Sequence, residues 1–406
     1  MAFDSSRRGF FKQLGIAAGA FGLSRLPGVN LLGDAEAAAG DEAPAVFILN
    51  MIGGYNALFP SANSFVGNGA FGTSANSVRR VGTSNLYVDK STLGTLSNTT
   101  LNQMASIGVN HGLTAHPTAR SALMLDGDKS RLIALSRSLP STAAIKCAVV
   151  GPDMPDGNHR AVGDTSLQQV LDLSTTIAAL GGVTAATAPD RALAADGISA
   201  AETMSNPTLA KNIRSGKSLI EGYPAASAQL RQATVALDYP SLAAAYGVTA
   251  GTGGSLPTAI RNERMQIMGA ELMIRAGANV VIANSRGWDS HGDNNGNEVR
   301  NKMLGDGIVA ALKTFTDRTL AMTNRNVVTV IMGDFSRSLP GSNHQANMTA
   351  TVIGKHVKLG STGNVTADVG LPQGSPRIQE LWAYIAAVLG ATGSPFGANP
   401  HNLVLP

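Results

Sequence analysis

The stretch from Asn279 to Asn294, N-V-V-I-A-N-S-R-G-W-D-S-H-G-D-N, constrains the fold more than any other part of the chain. Val280, Val281, Ile282 and Ala283 are β-branched or small and too few to make a helix, so they read as a buried strand. The run stops abruptly in Asn284, Ser285, Gly287, Trp288, Asp289, Ser290 and His291. Open α/β sheets build their sites in the crevice beyond the carboxyl ends of their strands. Asp289 and His291 offer oxygen and nitrogen donors to a cation or to a proton-transfer pair. The plainer alternative is a structural pair, with His291 satisfied by a neighbouring carbonyl.

The same pattern recurs along the chain. Residues 45–49, A-V-F-I-L, form a continuous apolar run that reads as the first central strand and ends in N-M-I-G-G-Y-N, placing Gly53, Gly54 and Asn56 at its tip. The two glycines lack the spacing and the lysine of a P-loop. Residues 107–110 read as a short strand whose exit carries His111, Thr114, His116, Pro117, Thr118, Arg120 and Ser121, with a helix expected to begin near Ser121. A hydroxyl there either faces the positive end of the helix dipole, as a nucleophile or anion ligand, or simply caps the helix. Residues 145–150 form another strand leading to Asp153, Asp156 and His159, which read either as ligands or as an ordinary turn. Residues 327–332 make a further strand, with Asp334 at its exit and Asn343 and His344 beyond.

Strand, polar tip, helix, strand and polar tip make the βαβ arrangement of a parallel sheet. Residues 61–100 look like a long surface excursion, 165–246 and 299–324 like helical stretches, 247–257 like a flexible loop, 261–278 like an amphipathic helix and 377–389 like a closing helix. No fixed-period repeat or domain boundary interrupts the chain. With 44% hydrophobic and 14% charged residues, its 406 residues can bury a large core. A net charge of +4, no Lys/Arg stripe and 5% aromatic residues argue against a nucleic-acid partner. The single cysteine, Cys147, cannot form an internal disulfide and reads as a small buried hydrophobe.

The amino terminus reads as an address. S-R-R-G-F-F-K, residues 6–12, is a twin-arginine motif followed by a weakly apolar segment from Leu14 to Leu23, too short for a bilayer of about 30 Å. Small residues at Ala35, Ala37 and Ala39 offer cleavage points. The expected organisation is a signal over residues 1–39 and one α/β domain over 40–406, exported folded by the twin-arginine translocase to the periplasm or beyond. No transmembrane segment is expected in the mature chain.

Together the strand tips resemble the twin-arginine-exported domain of unknown function 1501 family, within the alkaline phosphatase and sulfatase superfamily. V-F-I-L-N-M-I-G-G-Y-N-A-L is similar to its apolar strand and G-G-x-D-G-L, and A-R-S-A-L at 119–123 to its N-R-S-H-F. G-W-D-S-H at 287–291 resembles G-W-D-T-H, G-D-F-S-R-S at 333–338 resembles S-E-F-G-R-T, and S-N-H at 342–344 stands where the family has T-D-H. The resemblance implies a doubly wound, mostly parallel sheet with helices on both faces and metal ions at the strand tips. It further implies Asp289, His291, Asp334 and His344 as metal ligands, with Asn56 and Asn343 at ligand positions and Ser121 as the nucleophile.

The departures from that pattern bear on chemistry. Asn56 and Asn343 each replace an aspartate and Ala122 replaces a histidine, so two formal negative charges are missing from a site meant for divalent cations. An amide oxygen coordinates a hard cation but neutralises nothing. One divalent metal (zinc, or calcium or magnesium) or none is the expectation, with weak or absent hydrolysis of esters. The alternative is a metal-dependent phosphate or sulfate ester hydrolase using Ser121. The expected partner is a small-molecule ester or a cell-surface component.

Overall fold

The computed structural model describes residues 42–55, 60–62, 77–173 except 142 and 144, 239–249, 262–293, 296–338, 342–363 and 377–405, with isolated positions at 176, 196–207 and 260. The twin-arginine segment and Asn56 lie outside the described residues.

Eight strands form the central sheet: β1 (Ala43–Met51), β2 (Met104–Asn110), β3 (Cys147–Val150), β4 (Leu167–Val170), β5 (Val280–Ser285), β6 (Arg325–Gly333), β7 (Asn347–Ile353) and β8 (Gly360–Thr362). Their order is β8-β2-β7-β6-β1-β5-β3-β4. Every pairing is parallel except those of β7, which runs antiparallel to both β6 and β2. At the centre Ile48 lies between Ile282 of β5 and Val330 of β6. These strands read as unbroken apolar runs because both faces are covered.

The period-2 alternation sends side chains to two cores. Val46, Ile48, Val280, Ile282, Val328 and Val330 pack on one face with α2 (Arg131–Ser138) and α7 (Ile378–Val388). Phe47, Leu49, Val281, Ala283 and Ile331 pack on the other with α4 (Glu263–Arg275) and α6 (Ile308–Leu320). Each such side chain withdrawn from water contributes about 1.5–3 kcal/mol, enough in sum to fix the three-layer α/β arrangement expected from the sequence. Among the described residues no helix is long and apolar enough to cross a membrane.

Several local expectations are corrected. The helix expected near Ser121 is α1, spanning His116–Met124, because Pro117 supplies the start signal by standing in the first turn where no N–H is needed. Residues 167–170, expected to be helical, form the edge strand β4 beside β3. Tyr239–Ala245 of that stretch is helical, α3, and most of the remainder is outside the described residues. The single helix expected over 299–324 is two, α5 (Asn297–Gly305) and α6, separated where Gly307 takes φ +70°. Residues 61–100 are less superficial than expected: Pro60–Ala62, Val78–Arg80 and Leu86–Asp89 form a small antiparallel sheet, and Leu86, Val88, Leu93 and Leu96 are core residues. Strands β7 and β8 carry no expectation from the sequence.

Candidate metal centre

Three strand exits and one helix start meet at one end of the sheet. Gly53, after β1, approaches the main chain after β5 so closely that a Cβ there would lie 2.3 Å from the Asp289 nitrogen. Its own N–H donates to Asp334 Oδ1 at 2.9 Å, joining the exits of β1 and β6. Trp288, fully buried, hands its N–H to Ser285 Oγ at 2.8 Å, while its backbone N–H donates to Ile52 O at 3.2 Å. Asp289 and His291 are thereby presented at the rim from an anchored loop.

The segment after β6 folds back on itself. Arg337 and His344 form an antiparallel bridge, and Ser338 and Asn343 exchange bonds through Ser338 N to Asn343 O and Asn343 N to Ser338 Oγ, each 2.9 Å. This return carries His344 toward His116 at the start of α1, with ring centroids 4.5 Å apart. Phe335 lies beneath both rings, at 4.6 Å from His116 and 4.2 Å from His344.

One ligand atom from each of His116, Asp289, His291 and His344 lies within 4.8 Å of the others. The close separations are His344 Nε2 to His291 Nε2, 3.1 Å, His291 Nε2 to Asp289 Oδ1, 3.1 Å, and His116 Nε2 to Asp289 Oδ1, 3.5 Å. Tetrahedral ligands at 2.0–2.2 Å from zinc are about 3.3–3.6 Å apart, close to these three separations, so small side-chain shifts within the 4.8 Å cluster would let the four donors hold a small divalent ion. The hydrogen bonds behind the rings fix their tautomers. His116 Nδ1 lies 2.6 Å from Asp334 Oδ2 and His344 Nδ1 lies 2.7 Å from the Thr114 carbonyl, and carboxylate and carbonyl oxygens can only accept. Both rings therefore carry their proton on Nδ1 and, when neutral, turn a lone pair on Nε2 toward the cluster, the arrangement by which outer partners orient metal-binding histidines.

Arg337 enters the same space. Its side chain is buried, with Nε donating to Gly53 O at 2.7 Å and Nη1 to Ser342 O at 2.8 Å. Nη2 donates to Asp289 Oδ1 and lies 3.4 Å from both His116 Nε2 and His344 Nε2. Burial pushes the Asp289 carboxyl up, but Arg337, His116 and His291 together outweigh it and hold it below the usual carboxylate range. Burial lowers the His344 imidazole, against the Thr114 hydrogen bond, and the neighbouring Arg337, His116 and His291 lower it further. Both shifts favour the deprotonated forms that a metal requires.

The expected site residues separate into three groups. Asp289, His291 and His344 come together. Asp334, expected as a ligand, stands behind His116 as its hydrogen-bond acceptor, fully buried. Asn343 adjoins His344 with an exposed side chain, and Asn56 is outside the described residues. Ser121, expected as the nucleophile at a helix start, lies in the second half of α1 instead. Five positions after His116 it points about 140° around the helix from that ring, and it lines a separate surface cavity of ≈ 600 Å³ with Pro117, Ala122, Leu125 and Arg131. Asp153 and His159 are also away from the cluster: Asp153 pairs with Arg286, and His159 Nδ1 accepts from Ser130 Oγ at 2.7 Å.

Sequence reading missed His116 and Arg337 as members of the site. The signal for His116 was present in the exit of β2, but the expected helix start drew attention to the serine. Arg337 stands at the arginine of the G-D-F-S-R-S match, but its place in the site depends on the fold-back of its loop.

Fold and site define an α/β protein with a candidate mononuclear metal centre beyond its strand tips. No family model and no curated protein matches the chain. Among solved structures it is similar to the alkaline phosphatase from the Antarctic bacterium TAB5, at 12% identity and a TM-score of 0.32, covering 86% of this chain and 99% of that one. It is also similar to the integral membrane lipooligosaccharide phosphoethanolamine transferase A of Neisseria meningitidis, at 10% identity and 0.27, covering 86% of this chain and 55% of that one.

Proposed function

We propose that this chain is an exported, alkaline phosphatase- or sulfatase-like protein that holds one divalent metal through His116, His291, His344 and Asp289, with weak or absent ester hydrolysis. The observation that supports this most directly is the preset geometry: two imidazoles locked by Asp334 and Thr114 with Nε2 facing inward, at ligand-like separations from His291 and Asp289. Three nitrogens and one carboxylate oxygen favour zinc over calcium or magnesium, which prefer all-oxygen shells. Export is inferred from the twin-arginine motif at residues 6–12.

Weak hydrolysis follows from two features. Four protein donors fill a tetrahedral shell and leave no position for substrate. Ser121, the expected nucleophile, lines a different cavity and not the cluster. One observation favours the hydrolase reading: Asp289 is shared with Arg337, and if it stays with the guanidinium only three imidazoles remain as donors. A bound divalent ion would then supply Lewis acidity to a phosphate or sulfate ester oxygen. His116, His291 and His344 would hold the ion, with Asp334 and the Thr114 carbonyl orienting the His116 and His344 rings toward it.

Metal analysis of protein purified without chelator tests the proposal. Near one equivalent of zinc in the wild type, and loss of it in His291→Ala, is the expected result, because three donors in a half-open site hold metal far less tightly. Less than about a tenth of an equivalent of any transition metal, also after reconstitution with zinc, rules the metal centre out. Turnover of nitrophenyl phosphate or sulfate that His291→Ala abolishes would select the hydrolase reading.

A further inference from the structure

Arg337 stands where a buried cation is hardest to explain as packing alone. One of its nitrogens contacts Asp289 Oδ1 and lies 3.4 Å from two imidazole nitrogens, so it faces three of the four atoms that form the candidate metal shell. The other two nitrogens are tied to the carbonyls of Gly53 and Ser342, on the loops after β1 and β6. A guanidinium has no acceptor and keeps its charge at any physiological pH. It therefore cannot step aside by losing a proton, as a lysine in this place could.

We propose, resting on the metal-site reading above, that Arg337 is the resident cation of this centre and competes with a divalent ion for the same electron pairs. Without metal, the guanidinium supplies the positive charge that holds Asp289 and the inward lone pairs of His116 and His344 together. The ligand set is thus preassembled at the cost of affinity. A divalent ion entering the shell must take Asp289 Oδ1 and both imidazole nitrogens from Nη2 and accept a fixed positive charge beside it. Discrimination follows from the same contest. Ions that bind imidazole strongly, such as zinc or cobalt(II), can displace Nη2, whereas magnesium and calcium, which gain little from nitrogen donors, cannot.

A purely structural Arg337 and a competing one make opposite predictions for a neutral replacement. If the arginine only braces the loops, Arg337→Met loosens the site and weakens metal binding. If it competes, Arg337→Met binds metal more tightly even though the protein itself is less stable. Chelator-stripped wild type, Arg337→Met and Arg337→Lys are titrated with cobalt(II), read by its visible absorbance, and with zinc against a chromophoric chelator. The expected result is at least about a tenfold lower Kd for Arg337→Met, with Arg337→Lys between wild type and Arg337→Met, because an ammonium keeps the charge without metal but can yield a proton as the ion enters.

Equal or weaker binding by folded Arg337→Met overturns the competition while leaving the metal centre standing. Absence of cobalt and zinc binding in both wild type and variant overturns the metal centre itself, and this inference with it. Should Arg337→Met fail to give the wild-type circular dichroism spectrum, Arg337→Gln, neutral but still a donor toward Gly53 O, takes its place under the same criteria.

Discussion

Gly53 is the residue on which the site's closeness depends. Its φ of +117° is one that side chains rarely adopt, and a Cβ would press on the main chain of Trp288 and Asp289, at 2.6 and 2.3 Å. Backbone cannot yield as a flexible side chain can, so Gly53→Ala is expected to cost about 3 kcal/mol or more in urea unfolding. It should also abolish metal uptake, since Asp289 and Asp334 both move. A second residue-scale prediction concerns His111. Burial lowers its imidazole to about 4, against the upward pull of Asp334, and its Nδ1 accepts the Leu113 N–H at 3.0 Å, which a protonated ring cannot do. The folded value lies below the unfolded 6.5, so between those limits the unfolded chain takes up a proton that the folded chain refuses. Stability therefore falls as pH drops from about 6.5 toward 4, by up to about 3 kcal/mol from this group. His111→Asn, whose side-chain oxygen can still accept from Leu113, should flatten that part of the stability–pH curve measured by denaturant midpoints.

At the scale of elements, the helices on one face are joined by a charge as well as by apolar contact. Glu271 of α4 is fully buried and receives Arg275 of its own helix at 2.8 Å, Arg318 of α6 at 2.9–3.0 Å and the Tyr246 hydroxyl, just after α3, at 2.7 Å. Removing one member of a buried pair leaves charge without a counter-ion. Glu271→Ala should lower unfolding stability by about 3 kcal/mol, at the low end for such a pair because Arg275 and Arg318 keep 30% and 36% of their side-chain surface in water. Elements also show where local pattern misleads. The apolar spacing of 299–324 is helical throughout, and only the +70° φ of Gly307 divides it into α5 and α6. The Leu167–Val170 strand, with two exposed glutamines in its middle, has no strand pattern to read, and pairing with β3 decides its state.

For the whole molecule, the candidate ligands come from elements far apart in sequence, His116 on α1, Asp289 and His291 after β5, and His344 after β6. They can meet around one ion only when the sheet is intact, so a metal held there would bind the folded state in preference to the unfolded one. At a free zinc concentration about a hundred times Kd the linkage is worth about 2.7 kcal/mol. A melting temperature raised by zinc, insensitive to magnesium and restored by chelator is the expected outcome; a zinc-insensitive melting curve would contradict it.

The parallel centre of the sheet is legible in the chain itself, because Ala45–Leu49 and Val280–Ala283 are apolar without alternation, Val327–Met332 is so but for Thr329, and only burial on both faces satisfies such runs. The sequence also placed Gly53, Asp289, His291, Asp334 and His344 at strand exits, since an apolar run that ends in polar residues marks the edge of the core. Tertiary structure alone decided which of these side chains meet. Strand order put the exits of β1, β5 and β6 side by side, Pro117 started α1 early enough to turn His116 inward and Ser121 away, and the fold-back after β6 carried Arg337 and His344 into the same space. Periodicity is a property of neighbours along the chain, whereas convergence depends on backbone paths through loops that have no period to read.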